Sequence, residues 1–346
     1  MKEMKYYDGT KLLSLKDING NTPEIFLSTA NRSVGKTTYF NRLVLRKYLR
    51  GDGKFCLVYR FVYELEDCAS KFFKDIHGLF FSEYQMTAIK RCKGVYYELF
   101  LDDKSCGYAV ALNNADQVKK VSHLMSDCCC MLMDEFQSET NHYCDSEVDK
   151  LISIHTSLAR GQGQQVKYLP LYMLSNTVSL LNPYYVSLGI CNRLQKDTQY
   201  LKGDGFVLEQ TYMEEVGMAQ MATGFNRAFA TNKYVAYAGQ NVYLNDNTSF
   251  IEKPEGNAKY LATLKYKDKH YALRQYTDLG ILYVDNRPDM SNPNRLSITT
   301  EDHNINYVML KSNDLFMNQL RYYFNRGCFR FKDLQCKECI LTALSY

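Results

Sequence analysis

The chain has 346 residues, a formal net charge of +4, 46% hydrophobic residues and 14% aromatic residues. These values fit a globular protein of about two domains, and the mild charge allows a polyanionic partner only where basic groups cluster. No apolar run approaches the ~18 residues of a membrane helix, and the first residues lack the apolar core of a signal peptide. We therefore expect no membrane span, and we expect the twelve cysteines to be reduced.

Residues 24–38 (EIFLSTANRSVGKTT) predict a short apolar strand, a turn of small residues and a helix that begins near Gly35. This is the layout of a phosphate-binding loop, in which backbone N–H groups and the helix dipole attract phosphate. Lys36 is then expected to reach the β- and γ-phosphates, and the Thr37 hydroxyl is expected to bind Mg²⁺. Ala30 replaces the first glycine of the usual pattern, so a chance GKT sequence is the alternative. The apolar strand and the amphipathic helix on either side favour the loop.

Further strands and helices are predicted between this loop and residue 112. Residues 55–59 (FCLVY) indicate a buried strand, and residues 63–76 suit a helix. Residues 95–112 alternate in the manner of a hairpin that turns at residues 102–104. The alternation of strands and helices favours an α/β domain.

Residues 128–136 (CCCMLMDEF) are a continuous apolar run that ends in two acids, Asp134 and Glu135, before Phe136. Such a run predicts a central parallel strand that is covered on both faces. Acids at its carboxyl end lie where open α/β sheets bind ligands. The first acid would hold Mg²⁺ and the second would activate the attacking water. An acidic pair alone is a weak signal, but it gains weight from the lysine loop earlier in the chain.

Residues 146–160 and 168–176 predict an amphipathic helix followed by another buried strand. The helix closes at Arg160, which is followed by a glycine stop. The strand ends in Ser175 and Asn176, a polar pair that can sense the γ-phosphate or orient water. A simple cap between strand and turn is the alternative for this pair.

The chain changes character after residue 200. Residues 201–245 are rich in Gly, Met, Ala and Asn without a clean period, and we interpret them as a linker or lid between domains at 1–200 and 246–346. Three strand-like runs, at 260–266, 270–276 and 280–285, precede a predicted helix at 311–326 and indicate a separate α/β domain. Cys336 and Cys339, with Cys328 nearby, suggest half of a zinc site, but no second pair completes it.

With these elements in place, the sequence resembles the phi29-type phage DNA-packaging ATPases, also called DNA encapsidation proteins. The likeness is carried by residues 30–37 (ANRSVGKT), 133–136 (MDEF), 157–160 (SLAR), 174–185 (LSNTVSLLNPYY), 249–253 (SFIEK), 282–285 (LYVD) and 296–302 (LSITTED). These segments cover nearly the whole chain in order. The resemblance implies an N-terminal ASCE-class P-loop domain with a RecA-like fold. It also implies a C-terminal RNase H-like domain, here without an evident nuclease site.

The resemblance also implies roles for individual residues, with ATP and Mg²⁺ as cofactors. Lys36 binds phosphate, Thr37 and Asp134 bind Mg²⁺, Glu135 is the catalytic base, and Arg160 reaches the nucleotide of the neighbouring subunit. The implied nucleotide-binding residues are Ala30, Asn31, Arg32, Ser33, Val34, Gly35, Lys36, Thr37, Thr38 and Asn176. Ala30 and Ser33 stand where relatives have glycine, which predicts weaker nucleotide affinity.

The partners that the resemblance implies are double-stranded DNA and the portal of an empty capsid. A homomeric ring of five subunits would dock on this portal in the host cytoplasm, with an RNA scaffold as a further candidate partner. A motor that ignores sequence would grip DNA through its phosphates. The DNA-binding candidates are Arg42, Arg46, Lys47, Lys119 and Lys120 in the first domain, and Arg321, Arg326 and Arg330 among aromatic residues in the second. A solvated helix face, or a helix that packs its aromatics inward, is the alternative.

Two other functions remain as hypotheses. One is a different ASCE ATPase, such as a helicase or a terminase that also cuts DNA. The other is a nucleotide-gated DNA-binding module without turnover. The carboxylates after residue 246 are too sparse for the metal-binding cluster of a nuclease. We therefore expect the C-terminal domain to bind DNA, the portal or RNA and not to cleave nucleic acid.

Overall fold

A computed structural model of the chain describes residues 6–160, 165–191, 193–194, 198–239, 243–244 and 249–345. The chain divides into two compact units, residues 1–245 and residues 246–346. In the described ranges, no helix combines the length and the apolar character needed to cross a membrane.

The first unit is built on a nine-stranded sheet. Its strands are β1 (Ile25–Ala30), β2 (Lys54–Tyr59), β3 (Met86–Arg91), β4 (Tyr96–Leu101), β5 (Lys104–Ala111), β6 (Cys128–Met133), β7 (Leu171–Asn176), β8 (Tyr200–Lys202) and β9 (Phe206–Thr211). They lie in the order β3-β4-β5-β2-β6-β7-β1-β9-β8. The run from β5 to β9 is parallel, and β3, β4 and β8 join it antiparallel at the two edges. Strand β7 lies between β1 and β6, which is the arrangement of the ASCE class.

Helices cover both faces of this sheet, and further helices follow β9. They are α1 (Thr10–Ser14), α2 (Lys36–Leu49), α3 (Cys68–Phe80), α4 (Ala115–Val121), α5 (Glu147–Leu158), α6 (Pro183–Ser187), α7 (Glu214–Met221), α8 (Gly224–Ala228) and α9 (Lys233–Gly239). The apolar sides of α2 and α3 pack in one buried cluster, and those of α4, α5 and α6 pack in a second. Because both faces are covered, β6 is apolar along its whole length, as its sequence predicts.

The second unit has a six-stranded mixed sheet and two longer helices. Its elements are β10 (Lys259–Tyr266), β11 (Lys269–Tyr276), β12 (Ile281–Asp285), β13 (Arg295–Ser297), β14 (Val308–Met309), α10 (Asp314–Asn325), β15 (Phe329–Phe331) and α11 (Leu334–Ser345). The sheet order is β14-β13-β10-β11-β12-β15. Strands β10 to β12 form an antiparallel meander, and β13 and β14 extend it in parallel beside β10. The first five strands thus follow the order of an RNase H-like sheet.

The structure confirms most of the predicted elements and corrects one segment. The hairpin between β4 and β5 turns at Asp102 and Asp103, which both have positive φ angles. Residues 200–211, however, do not belong to a linker or lid. They form the β8–β9 hairpin, and β9 pairs in parallel with β1. The turn signal was the Gly203–Gly205 segment, where Gly205 has a φ of 72°.

The C-terminal cysteine pair has a structural place. Cys336 and Cys339 are buried among the apolar side chains that α11 packs against the second sheet. Burial raises the pKa of both thiols, which disfavours the thiolates that a metal would need. Over the described residues, no group of three potential metal ligands converges.

Candidate nucleotide site

The loop between β1 and α2 has the backbone of an anion cradle. Gly35 precedes α2 with a φ of 93°, and Ser33 also takes a left-handed conformation with a φ of 63°. None of the backbone N–H groups from Ser33 to Lys36 donates a hydrogen bond within the described residues. Unpaired N–H groups at a helix N-terminus are donors for phosphate oxygens.

Ala30 fits its position without strain. It is the last residue of β1, it is fully buried, and it pairs in register with Asn176 and Thr211. Its φ angle lies outside the left-handed region, which among the loop residues holds only Ser33 and Gly35. The missing first glycine therefore costs nothing in backbone conformation, whereas the missing glycine at position 33 does.

Lys36 is held at the centre of the loop. Its ammonium lies 3.4 Å from the carbonyl oxygens of Ala30 and Asn31 and 3.3 Å from Oδ1 of Asn176. Burial lowers the pKa of Lys36 to about 8, although the Asp134 carboxylate favours its protonated form. A buried ammonium among carbonyl oxygens is poised to exchange them for the stronger acceptors of a polyphosphate.

Asp134 and Glu135 follow β6 at the same edge of the sheet. The Asp134 carboxylate accepts a hydrogen bond of 2.8 Å from the Thr37 hydroxyl. These two oxygen ligands match the donors that Mg²⁺ prefers, and with a nucleotide they would hold the ion between protein and phosphates. Desolvation by the surrounding protein raises the pKa of the Asp134 carboxyl. Desolvation also raises the pKa of the Glu135 carboxyl, and repulsion by the Asp134 and Glu139 carboxylates raises it further.

A cleft of about 850 Å³ joins these groups. The loop and the start of α2 form its floor, and Asp134, Glu135, Ser175 and Asn176 line one side. Its outer wall includes Tyr6, Tyr39, Arg42 and Phe80. This volume suits a nucleotide. The structure thus brings together the loop, the acidic pair and the polar end of β7, as the sequence predicts.

Comparisons with known proteins agree with this architecture. A family model described as podovirus DNA encapsidation protein (Gp16) matches residues 1–344. The chain belongs to this family. It is 23% identical over 337 residues to the DNA packaging protein of Bacillus phage phi29, covering 96% of this chain and 94% of the relative. The corresponding protein of Bacillus phage B103 is 25% identical over 307 residues, which is 84% of this chain and 90% of that protein.

Solved structures of packaging motors share the fold of this chain. A chain of the bacteriophage Phi-29 viral genome packaging motor assembly aligns with a TM-score of 0.68 at 20% identity, covering 99% of this chain and 98% of that chain. A chain of the Phi-28 gp11 DNA packaging motor aligns with a TM-score of 0.62 at 18% identity, covering 99% of both chains. The predicted fold class, a P-loop ATPase fold followed by a C-terminal domain, is confirmed.

Arg60, which the sequence did not single out, anchors the segment that carries Glu135. Its guanidinium donates to the carbonyl oxygens of Glu135 (3.2 Å) and Phe136 (2.9 Å). It also forms a buried ion pair of 2.9 Å with Glu147, which accepts a 2.7 Å hydrogen bond from the Tyr184 hydroxyl. Glu135 has a φ of 54°, an unfavourable conformation for a side chain of this size. The Arg60–Glu147 pair therefore supports a strained backbone at the site.

Segment 213–239 contacts the loop directly. The Asn31 side chain exchanges two hydrogen bonds with the backbone of Met213, at 3.0 and 3.2 Å. Arg32 lines the cleft, pairs with Glu139 at 3.2 Å and contacts the hydroxyl of Tyr234 in α9. These contacts connect the loop, the segment after β6 and α9, and no pattern in the sequence links the three.

Arg160 lies near the amino ends of the strands, opposite the carboxyl ends that carry the cleft. It is exposed and follows α5, whose last turn is next to the amino ends of the strands. There His155 contacts the Leu169 carbonyl, and Lys167 contacts the Cys128 carbonyl at the start of β6. The six residues of β6 separate this edge from Asp134 by ~20 Å. Arg160 therefore cannot reach the phosphate loop of its own chain.

The structure disperses the DNA-binding candidates. In α4, Lys119 pairs with Asp116 at 3.3 Å and Lys120 lies 3.4 Å from Gln117, both on an exposed face. On α2, Arg42 stacks on Phe80 beside the cleft. Arg46 and Lys47 lie in the last turn of the same helix. Arg321 is exposed on α10, and Arg326 caps that helix with its guanidinium over Tyr322. Arg330 lies in β15 and pairs with Glu252.

Proposed function

We propose that this encapsidation protein is a Mg·ATP-driven motor that moves double-stranded DNA into a preformed capsid. The observation that carries the proposal is the convergence of Lys36, Thr37, Asp134 and Asn176 beside unpaired loop N–H groups at one sheet edge. Phosphoryl transfer needs such positioning and charge neutralisation more than covalent chemistry. The family membership supplies DNA as the cargo.

Each residue has a distinct task in this proposal. The loop N–H groups and Lys36 bind the β- and γ-phosphates, and Thr37 and Asp134 supply oxygen ligands for Mg²⁺, which neutralises charge on the transferring group. Glu135 accepts the proton of the attacking water, and its raised pKa makes it a stronger base than an ordinary carboxylate. Asn176, in contact with Lys36, senses the γ-phosphate.

The motor would work as a ring of five subunits on the capsid portal in the host cytoplasm. The position of Arg160 supports a ring, because this arginine lies at the sheet edge remote from its own phosphate loop. A neighbouring subunit would receive it as a positive charge for the transition state. Contacts to DNA phosphates, and a scaffold RNA as further partner, complete the proposed assembly.

The decisive experiment measures ATP hydrolysis with and without double-stranded DNA and empty capsids. Glu135→Gln should bind ATP and hydrolyse it at least ~100-fold more slowly, because the base is lost while Asp134 remains. Lys36→Ala should weaken ATP binding itself. Normal hydrolysis in both variants would contradict the site. Turnover that needs no capsid and is followed by DNA cleavage would favour a terminase, and ATP binding without turnover would favour a nucleotide-gated module.

A further inference from the structure

The sheet of the second unit has one apolar face and one polar face. Side chains alternate along each strand, so residues two apart share a face. Leu273, Val284 and Phe331 point into the core that α10 and α11 cover. The residues between them point the other way, and the register places Arg274 beside Tyr283 and Tyr283 beside Arg330. Both helices of this unit thus pack against the apolar face.

A cavity of about 470 Å³ opens on the polar face. Its lining is dominated by four cations and two tyrosines, with a single acid. These residues are Lys253, Arg274, Arg287, Lys332, Tyr276, Tyr283 and Asp285. The cations come from β11 and from three segments outside the helices, so they surround the cavity and do not form one stripe.

The single acid does not neutralise the cavity. Asp285 forms a 2.9 Å ion pair with Arg274 and accepts a 2.8 Å hydrogen bond from the backbone N–H of Arg287. It is thereby committed to Arg274. Lys253, Arg287 and Lys332 have no ion-pair partner among the described residues, and the Lys332 ammonium donates a hydrogen bond to the neutral side chain of Asn286. A concave surface with three uncompensated cations focuses a positive potential.

The floor of the cavity is rigid. Tyr276 and Tyr283 are 5% and 4% exposed and pack edge to face, with ring centroids 6.0 Å apart. The Arg274 guanidinium is fixed by Asp285, by the Arg287 carbonyl at 2.9 Å and by the Tyr260 ring. The floor is thus preorganised, whereas Lys253, Arg287 and Lys332 are exposed.

We propose that this cavity binds the phosphate groups of a nucleic-acid strand through Lys253, Arg287 and Lys332. Three cations without an acidic partner favour binding of a polyanion. The family is described as DNA encapsidation proteins, so nucleic acid is the expected polyanion. The contact is to the backbone, since the tyrosines are too buried to stack on bases. The site lies in the second unit and does not depend on ATP hydrolysis.

The test uses the full chain and two triple variants that each remove three positive charges. One is Lys253→Ala/Arg287→Ala/Lys332→Ala. The control is Lys267→Ala/Lys269→Ala/Lys311→Ala, whose residues are exposed in the same unit, lie outside the cavity and are not among the DNA-binding candidates. Binding of labelled duplex DNA, duplex RNA and single-stranded DNA is measured by fluorescence anisotropy without nucleotide over a salt series. The three probes identify which nucleic acid supplies the phosphates.

The cavity triple should lower affinity at least ~10-fold and reduce the slope of log K against log salt by ~2–3, because each lost phosphate contact removes ~0.7–0.9. The control should change the slope by less than ~1. The charge-conserving triple Lys253→Arg/Arg287→Lys/Lys332→Arg should keep the wild-type slope, and all variants should keep DNA-independent ATP hydrolysis. Equal losses in both alanine triples, unchanged binding in the cavity triple, or loss of binding in the charge-conserving triple would overturn the proposal.

Discussion

The two sheets of this protein present their polar groups in different places. In the first unit helices cover both faces, and the polar groups gather beyond the carboxyl ends of β1, β6 and β7. In the second unit helices cover one face, and the other carries cations and tyrosines in register across β11, β12 and β15. The carboxyl ends of strands offer a few convergent groups, which suits a small ligand, whereas cations spread around a cavity on a sheet face suit the spaced phosphates of a polymer.

The largest expected effect, on ATP hydrolysis, concerns Arg160 at the amino ends of the strands of the first sheet, away from the phosphate loop. If Arg160 serves the nucleotide of a neighbouring subunit, then Arg160→Ala should bind ATP normally and hydrolyse it ~10³-fold more slowly. Arg160→Lys should restore little, because lysine lacks the planar fork that reaches two oxygens. Steady-state hydrolysis and nucleotide titration measure the two effects. Arg50→Ala, which removes an exposed arginine paired with Asp52, is the matched control.

Mixing separates an arginine that acts in trans from one that merely caps a helix. Arg160→Ala and Lys36→Ala subunits in one ring should regain some hydrolysis, since an intact Arg160 then faces an intact loop at some interfaces. Mixed rings as inactive as both parents would contradict the assignment, as would full activity of Arg160→Ala alone.

A second, smaller effect tests whether the carboxyl edge is held by the buried Arg60–Glu147 pair. Glu147→Gln leaves the Arg60 charge buried without its partner and should cost ~3–5 kcal/mol of unfolding free energy. Arg60→Met/Glu147→Leu removes both charges and should recover most of that stability. This stable double variant should nevertheless hydrolyse ATP up to ~100-fold more slowly than the wild type, because the carbonyls of Glu135 and Phe136 lose the Arg60 guanidinium that anchors them.

Urea denaturation and single-turnover hydrolysis measure the two quantities independently. If the double variant is both stable and fully active, Arg60 is only a structural cation. Glu98→Gln is a control that removes the 2.8 Å ion pair between Glu98 in β4 and Arg91 in β3, outside the nucleotide cleft, and it should leave hydrolysis unchanged.

The sequence predicted the first unit better than the second for a physical reason. Gly35, Lys36 and Asp134 occupy fixed positions relative to a strand and a helix, so local spacing reveals them. The basic cavity of the second unit unites residues from 253 to 332, and only the register of β11, β12 and β15 brings them together. Arg330, which the sequence singled out, does not line the cavity, and Arg287 and Lys253 carry no local signal.

Two features of the first unit also escaped prediction, a residue and a hairpin. Arg60 directly follows a strand, as many arginines do, and its role depends on Glu147, which lies in another element. The β8–β9 hairpin was missed because short strands separated by a glycine turn resemble a loop in composition.

The lowered pKa of Lys36 predicts a pH effect on nucleotide binding. Below about pH 8 the buried ammonium is already protonated and binding takes up no proton. Above it, the free site must gain a proton as phosphate binds, so ATP affinity should fall by up to ~10-fold per pH unit. Calorimetric titrations in buffers of different ionisation enthalpy should detect this uptake near pH 8 and not at pH 7. An affinity that stays constant from pH 7 to above 9 would show that burial does not shift this lysine.

The smallest expected effect contrasts the two places where relatives have glycine in the loop. Ser33 is exposed with a φ of 63°, and its side chain makes no hydrogen bond within the described residues. Ser33→Gly should therefore relieve strain of ~1–2 kcal/mol, less ~0.5–1 kcal/mol for the added freedom of the unfolded chain. Ala30 is buried at the end of β1 and has no such strain. Ala30→Gly should thus lose ~0.5–1 kcal/mol.

The pair of glycine variants separates backbone conformation from resemblance to the family pattern. If the pattern itself governed the loop, both variants would tighten ATP binding together. If conformation governs it, Ser33→Gly raises the free energy of unfolding and keeps or improves ATP affinity, while Ala30→Gly lowers stability and gains nothing in affinity. Urea denaturation and ATP titration on the two single variants decide between these outcomes. Ala30 ends β1 in ordinary strand conformation, paired with Asn176 of β7, so only position 33 should gain from glycine. Changes in stability and ATP affinity that are equal and of the same sign in both variants would contradict this view.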